Sequence, residues 1–379
     1  MKIIQGNIAS PLGFKANGMS AGIKRSGKPD LALIACDTAA VCVGVFTKNS
    51  IKAAPLIVTQ EKLKNNKAQA IIVNSGNANC FTGSFGLLYA RKSTQLIAKL
   101  LHIKSNDVLV TSTGIIGKPL PYNKIQAAAP TLVKGLSQNG GHKAAVAILT
   151  TDLKTKEIAV KINLGGKTVT LGAMAKGSGM VAPNMATMLG FVTTDCAINA
   201  KILKLALKEA NEGSFNSITV DGCMSTNDMV TVMANGLAKN KMITAKNKDF
   251  KIFAKALNHV CLDLAKKIVL DAEGATKFIE ITVAGAKTKS QAKTVCFAIA
   301  NSVLVKTAAY GNNPNWGRVA AAVGSLSLPV TEKQLKIKFS PFSKKHIEIT
   351  VDLNLGTKEA TVFTSDLSLD YVRINGRYN

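Results

Sequence analysis

The segment 177–186 most constrains how this chain can fold. It contains two glycines, a serine, a proline and an asparagine, so neither a helix nor a strand can continue through it. An apolar, strand-like run follows at once, over 187–194. The sequence therefore predicts an exposed loop near the middle of the chain, and this loop is its natural break.

Hydrophobic periodicity predicts a mixture of helices and strands. Helices are expected over 84–101, 200–211, 249–272 and 290–307. Strands are expected over 70–74, 108–111, 157–162, 168–172, 187–194, 278–283 and 346–353. The two types do not alternate strictly, which favours a layered α/β body of the α+β kind over a doubly wound sheet. With 379 residues, the chain can form two domains or one large body.

The formal net charge of +26 raises the alternative of a lysine-rich, non-enzymatic protein that binds nucleic acid. Only five of the 48 basic residues are arginine, and aromatic residues make up 5% of the chain. Base readout and base stacking rely on those two residue classes. We therefore interpret the lysines as a solvated surface and predict no nucleic-acid partner.

Composition also predicts a cytoplasmic protein with no membrane partner. The longest apolar run, over 31–46, is interrupted by Asp37, and the N-terminus lacks the apolar core of a signal peptide. The seven cysteines include no C-x-x-C pair, and the four histidines are scattered. This spacing predicts neither a disulfide framework nor a metal site.

Thr187 is the first candidate for chemistry. A threonine hydroxyl inside a chain is a poor nucleophile, but on the first residue of a chain its own amine can act as the base. Cleavage between Ala186 and Thr187 would create that arrangement. We therefore hypothesise that the chain cuts itself there and uses Thr187 as a nucleophile. The alternative is a β-branched residue that starts a strand.

Further candidates lie in short polar segments. Turns are predicted over 74–79 and 111–114, and in the second of these Thr113 and Gly114 could donate to an oxyanion. Lys176 could bind a substrate carboxylate, and Glu273, after an apolar helix, an ammonium group. Ordinary turn, surface and helix-end roles are the alternatives. The triplet Thr-Thr-Asp occurs at 150–152 and 193–195, which we interpret as coincidence.

Taken together, these segments resemble one family, the ornithine acetyltransferases (glutamate N-acetyltransferases) of arginine biosynthesis. The matching motifs recur in order over nearly the whole chain, at 44–47, 73–79, 112–117, 176–189, 218–222, 225–228, 314–318 and 369–375. The resemblance implies an N-terminal-nucleophile-like acetyltransferase fold with two α/β lobes. It also implies transfer of acetyl from N2-acetylornithine to glutamate, with acetyl-CoA as a possible donor and no metal or organic cofactor.

The resemblance also assigns residues. It implies Thr187 as the nucleophile and Thr113 and Gly114 as the oxyanion hole. Substrate-binding positions are implied at Thr150, Lys176, Thr187, Glu273 and Asn375. The cut would give an α chain, 1–186, and a β chain, 187–379, which stay together as an α2β2 heterotetramer.

The sequence departs from the family pattern at three places. Asn313 and Cys223 stand where the family usually has acidic residues. Four residues follow Asn375, whereas the family usually has five, the last a serine or threonine that touches substrate.

A related alternative keeps the chemistry but changes the acceptor: an N-terminal-nucleophile amidohydrolase or aminopeptidase, in which water resolves the acyl-enzyme.

Overall fold

The computed structural model describes residues 1–182 and 188–377, which form two α/β lobes, so the predicted fold class is confirmed. The larger lobe is built on a sheet of nine strands: β1 (Lys2–Ile4), β2 (Phe14–Met19), β3 (Leu31–Phe46), β4 (Lys67–Asn77), β5 (Val108–Ile115), β6 (Lys156–Leu164), β7 (Lys167–Lys176), β8 (Leu189–Thr194) and β9 (Met229–Ala234). Their order is β1-β6-β7-β8-β9-β3-β4-β5, with β2 paired to β3.

The smaller lobe is built on a sheet of four strands: β10 (Phe278–Ala286), β11 (Lys336–Phe339), β12 (His346–Asp352) and β13 (Lys358–Ser365). Their order is β11-β12-β10-β13. The helices of the described residues are α1 (Ala54–Lys62), α2 (Gly83–Leu101), α3 (Tyr122–Lys134), α4 (Gly141–Ala147), α5 (Ala200–Glu212), α6 (Lys248–Leu270), α7 (Lys289–Ala300), α8 (Val303–Tyr310), α9 (Trp316–Gly324) and α10 (Leu369–Asn375).

Helices cover both faces of the larger sheet, and β3 shows why. Its side chains alternate between the faces: Leu31 and Leu33 pack in a core with α2 and α3, whereas Ala32 and Ile34 pack in a core with α4. A strand buried on both faces is a continuous apolar run without alternation. Helices α5 and α6 complete the core over β6 to β9.

The smaller sheet packs against α7, α8 and α9, and here the helix prediction needs correction. The predicted helix over 290–307 is two helices, α7 and α8, bent by 57° at a short break. Ser302 lies in the break and caps α8 through the Val305 N–H. No single helix in the described ranges has the length and hydropathy to cross a membrane. Within those ranges, only this bent pair meets the test by length and composition, and both helices contribute to the core of the smaller lobe.

Strands β7 and β8 form an antiparallel pair on either side of the predicted loop. The prediction that this loop is exposed is wrong for most of its described residues, since Gly177, Ser178, Val181 and Ala182 are buried. Lys176, the last residue of β7, pairs with Leu189, the first residue of β8. The boundary between the predicted segments 1–186 and 187–379 lies within 183–187, which is not among the residues that the structure describes. Strands β8 and β9 lie after this boundary and still belong to the larger sheet, so it does not coincide with the boundary between the lobes.

Candidate active site

Six of the residues singled out in the sequence line one cavity of about 90 Å³. They come from the end of β5, the loop before β6, the end of β7, the turn after α6 and the end of α10: Thr113, Gly114, Thr150, Lys176, Glu273 and Asn375. The remaining two, Ala186 and Thr187, lie outside the described residues.

The wall that carries Thr113 and Gly114 is strand, not turn. The predicted turns over 74–79 and 111–114 are wrong in this respect, because β4 and β5 remain paired in parallel as far as Asn77 and Ile115. The register shifts beside Gly76, where the two backbones approach closely. Gly114 has φ +131°, and a Cβ on it would lie 2.4 Å from the carbonyl carbon of Gly76. Both the backbone conformation and the space therefore require glycine.

We expect Gly114→Ala to destabilise the protein by about 2–5 kcal/mol, because it adds a steric clash to the backbone strain. Gly117→Ala is the matched control. Gly117 also has a positive φ, +81°, but no atom lies within 4 Å of a Cβ built there. The thermal unfolding midpoint of the Gly114 variant should fall further than that of the control. Equal midpoints would show that the contact with Gly76 has no energetic weight.

Asn227 holds this wall in place. Its Nδ2 donates to the Ala78 carbonyl at 2.7 Å and to the Ser112 carbonyl at 2.8 Å, and its side chain is buried. The Ser112 hydroxyl in turn donates to the side chain of Asn74. Sequence reasoning did not single out Asn227, although the motif at 225–228 carried the signal.

Another part of the cavity lining carries Glu273 and Asn375. Helix α6 ends at Leu270, and the following turn places Glu273 in the cavity with 8% of its surface exposed. Asn375 Nδ2 donates to Glu273 Oε2 at 2.8 Å. A Cβ on Gly179 would lie 2.2 Å from the same carboxylate oxygen, so Gly179 leaves the space that the carboxylate occupies.

A buried ionic cluster lies directly behind the cavity. Lys156, 1% exposed, places its Nζ 2.6 Å from Asp152 and 2.6 Å from Asp271. Asp152 also accepts the backbone N–H groups of Thr150 and Gly177, at 3.0 and 2.7 Å. Its carboxylate therefore holds together two chain segments that line the site.

Asp152 is a residue that sequence reasoning missed. The signal was the repeated triplet Thr-Thr-Asp, and its interpretation as coincidence overlooked a shared structural role. Asp195, in the second copy, is also buried and accepts the N–H groups of Leu12 and Thr170. Asp152 follows α4 and Asp195 follows β8, and in both places the carboxylate after the two threonines binds backbone N–H donors.

The charges in the site influence one another. Burial lowers the pKa of Lys176, and the carboxylates of Asp152 and Glu273 oppose that effect. Burial alone would raise the pKa of Asp152, but Lys176 and Lys156 hold it below its ordinary value. Lys176 Nζ lies 3.8 Å from Asp152 Oδ2. A cavity lined by one cation and one carboxylate is complementary to the two charged groups of an amino acid.

Two carboxyl groups, the half-buried Asp221 and the buried Asp228, anchor the chain on both sides of 183–187. Asp221 accepts the N–H groups of Met180 and Val181, at 2.6 and 2.9 Å. Asp228 accepts the N–H of Met188 at 3.0 Å. The described residues on both sides of this segment are therefore held by carboxyl groups, and Met180 lines the cavity. Trp316, which belongs to another family motif, lies elsewhere and is 66% exposed.

The site contains amide, hydroxyl, ammonium and carboxylate groups, and no cluster of metal ligands accompanies them. Across residues 1–182 and 188–377, His, Cys, Asp and Glu side chains form no group of three or more that could hold a metal ion. The chemistry that the described groups can support is binding of a small zwitterion and stabilisation of negative charge on an oxygen atom.

Comparison with known proteins identifies the family. The sequence model of the ArgJ family matches residues 15–379. The arginine biosynthesis bifunctional protein ArgJ of Caldanaerobacter subterraneus is 46% identical over 402 residues and is covered completely, as is this chain. The ArgJ protein of Symbiobacterium thermophilum is 44% identical over 400 residues, with the same complete coverage. A crystal structure of the Bacillus halodurans ArgJ protein is 42% identical, with a TM-score of 0.46, over 49% of this chain and 97% of that one. The chain therefore belongs to the ArgJ family of bifunctional arginine-biosynthesis enzymes, and the resemblance seen in its motifs is confirmed.

Proposed function

We propose that this acyltransferase of arginine biosynthesis cuts itself between Ala186 and Thr187. It then carries acetyl from N2-acetylornithine to glutamate as an ester on Thr187. One observation carries the proposal. The six described candidate residues, which are far apart in sequence, line a single cavity, and Asp221 and Asp228 anchor the flanks of the cut segment beside it.

The cut begins with attack of the Thr187 hydroxyl oxygen on the carbonyl carbon of Ala186. An ester forms as the peptide C–N bond breaks, and the nitrogen of Thr187 takes up a proton. Water then hydrolyses the ester, which leaves a carboxylate on Ala186 and a free α-amine on Thr187. The reference pKa of such an amine is about 8, so it can accept a proton near neutral pH.

In acetyl transfer, the Thr187 hydroxyl oxygen first accepts the acetyl group and then gives it up. The α-amine takes the hydroxyl proton while the oxygen attacks the acetyl carbonyl of N2-acetylornithine. Thr113 and the Gly114 N–H donate to the developing oxyanion. The amide C–N bond breaks, the proton passes to the departing nitrogen, and ornithine leaves. The amine of glutamate then attacks the ester, and the release of N-acetylglutamate restores the hydroxyl.

Charge complementarity supports an amino-acid substrate. Lys176 pairs with the substrate carboxylate, and Glu273, held by Asn375, binds an ammonium group. Thr150, whose N–H and hydroxyl bond to Asp152, lies at the same cavity and completes the binding positions. No metal or organic cofactor is required, and acetyl-CoA can serve as a second acetyl donor.

The two chains produced by the cut would remain joined through the larger sheet. Strands β7 and β8 pair over six residues, and β3 pairs with β9 over six more. An α chain of 1–186 and a β chain of 187–379 therefore form one body. Two such bodies give the α2β2 assembly, which we place in the cytoplasm with small molecules, not nucleic acid, as partners.

Intact-mass analysis of the purified protein, combined with a product assay, tests the proposal. We expect two fragments, the second beginning at Thr187, and transfer of labelled acetyl from N2-acetylornithine to glutamate. Acetate as the main product would favour the amidohydrolase alternative. Active protein that remains a single chain would exclude the mechanism. Salt-steep nucleic-acid binding by an uncut, inactive chain would favour the lysine-rich binding protein.

A further inference from the structure

A second cavity, of about 480 Å³, adjoins the active-site cavity. Thr150 lines both of them. Strand β4 ends at the second cavity with Asn77, and the next residue, Ala78, lines the active-site cavity. In the same way, Asn375 at the end of α10 lines the active-site cavity, and Arg377 lines the second one. The two cavities are therefore neighbours along the same chain segments.

The second cavity is lined by four basic side chains, Lys24, Arg25, Lys118 and Arg377. None of its described lining residues is acidic. Arg25 and Arg377 are two of only five arginines among 48 basic residues, and they lie near opposite ends of the sequence. Arginine is the residue best suited to bind phosphate, because its guanidinium group donates two parallel hydrogen bonds. The cavity therefore differs in kind from the lysine-rich surface around it.

The backbone that carries these cations is held in place. The buried Asp30 carboxylate accepts three backbone N–H groups of the loop that contains Lys24 and Arg25, at 2.6, 2.6 and 2.9 Å. The Lys24 ammonium group donates to a carbonyl of the same loop at 2.6 Å. Across the cavity lining, Asn77 Nδ2 donates to the Lys118 carbonyl at 3.1 Å. The basic groups thus belong to an ordered site.

The positive charges of the two cavities influence each other. Burial lowers the pKa of Lys24 to about 8. The carboxylate of Asp30 opposes this effect, whereas the charge of Lys176, in the active-site cavity, adds to it. An anion bound beside Lys24 would offset both the burial and the repulsion. The electrostatics of the second cavity therefore favour a negatively charged ligand.

We propose that the second cavity binds the phosphate groups of an acetyl thioester of the CoA class, whose acetyl end passes Thr150 to reach the oxyanion donors Thr113 and Gly114. The inference rests on the proposed function, because it assigns a second donor to the same site. N2-acetylornithine has one carboxylate and one ammonium group, which Lys176 and Glu273 already match. Four additional cations suit a donor with several negative charges.

Size and lining favour this donor over the second carboxylate of glutamate. A volume of about 480 Å³ lies in the range of cavities that bind cofactor-sized ligands. Apolar groups of Ile23, Ile115, Pro119 and Pro121 also line the cavity. They suit the uncharged arm that joins the phosphates of CoA to its thioester. A single carboxylate requires neither this volume nor four cations.

The chemistry changes only in the leaving group. The same hydroxyl oxygen attacks the acetyl carbonyl, the C–S bond of the thioester breaks in place of an amide C–N bond, and the thiol sulfur leaves with the proton. The acetyl ester is identical from both donors, so glutamate accepts acetyl in an identical second step. Weaker binding in the second cavity should therefore affect only the reaction with the thioester.

A double variant, Arg25→Gln with Arg377→Gln, tests the assignment. Both side chains are exposed, so the fold should be kept. We expect the KM for acetyl-CoA to rise about tenfold or more, because charge-assisted hydrogen bonds to phosphate are lost. The kcat and KM for N2-acetylornithine should not change. The KM for S-acetylpantetheine, which has the thioester and part of the arm but no phosphate, should not change either.

Arg91→Gln is the matched control, because Arg91 pairs with Glu61 at 3.1 Å on the surface and lines neither cavity. It should leave all these constants unchanged. An unchanged KM for acetyl-CoA in the double variant, or equal increases for acetyl-CoA and S-acetylpantetheine, would overturn the proposal. So would a rise in the KM for glutamate with both donors, which would assign the cavity to the acceptor.

Failure of this proposal is distinct from failure of the proposed function. A cut wild type that transfers acetyl from N2-acetylornithine but does not use acetyl-CoA would overturn the thioester site alone. A wild type that stays whole and is inactive with both donors would refute the proposed function.

Calorimetry with CoA tests the cavity without turnover. The Thr187→Ala protein keeps all four cations, so we expect it to bind CoA. The two arginine substitutions, added to it, should weaken that binding about tenfold or more. Absence of binding, or equal binding by the two proteins, would overturn the assignment.

Discussion

The Thr187→Ala variant is expected to remain one chain of 379 residues and to lose acetyl transfer almost completely. Both consequences follow from the loss of one oxygen atom, which attacks the Ala186 carbonyl in the cut and the acetyl carbonyl in transfer. Loss of a catalytic serine nucleophile elsewhere lowers kcat on the order of 10⁶-fold, and we expect a similar reduction here. Intact mass and the rate of N-acetylglutamate formation measure the two effects.

Thr187→Ser is the matched control, because it keeps the hydroxyl and removes only the methyl group. We expect it to cut itself and to retain transfer at a reduced rate. The pair of variants separates loss of the nucleophile from loss of packing. An alanine variant that still splits between residues 186 and 187 would end the proposal of self-cleavage. One that stays whole yet transfers acetyl at the wild-type rate would assign the nucleophile to another residue.

Periodicity predicted helices well where the helix has one polar face and a clear cap. Asn199 and Asn247 cap α5 and α6, and each side chain accepts an N–H from the first turn. Their predicted bounds agree with the structure to within two residues. By contrast, β3 is buried on both faces and interrupted by Asp37, so its pattern resembled that of a long apolar segment and gave no strand prediction.

The site could be predicted only in part, because it depends on contacts between distant residues. Asn375 and Glu273 are 102 positions apart, and Lys156 and Asp271 are 115 apart. Residue chemistry suggested Thr113 and Glu273, only family resemblance supplied Thr150 and Asn375, and the structure places all four at one cavity. No spacing rule could pair Lys156 with Asp271, nor show that Asp228 is buried and accepts the Met188 N–H. These aspartates looked like ordinary polar residues beside strands.

A substitution in the ionic cluster behind the site should have the second large effect, a loss of folding stability. We expect Lys156→Met to destabilise the protein by about 3–5 kcal/mol, because removing one partner leaves the buried carboxylates of Asp152 and Asp271 without their shared cation. With an unfolding entropy of about 2.1 cal/mol/K per residue, the thermal midpoint should fall by roughly 4–6 °C. Since Asp152 also binds the Thr150 and Gly177 N–H groups, the KM for N2-acetylornithine should rise as well.

Lys246→Met is the control, because Lys246 pairs with Glu209 at 2.9 Å on the surface, with 57% and 46% of the two side chains exposed. Exposed pairs contribute about 0–1 kcal/mol, so its midpoint should barely change.

Asp152 has a lowered pKa in the folded protein, so its ionisation stabilises the fold above the unfolded pKa, and this stabilisation is lost as the pH falls. Acid should therefore destabilise the wild type more than a double variant lacking both Asp152 and Lys156. Equal midpoints for the two lysine variants would show that the cluster adds nothing beyond an exposed pair.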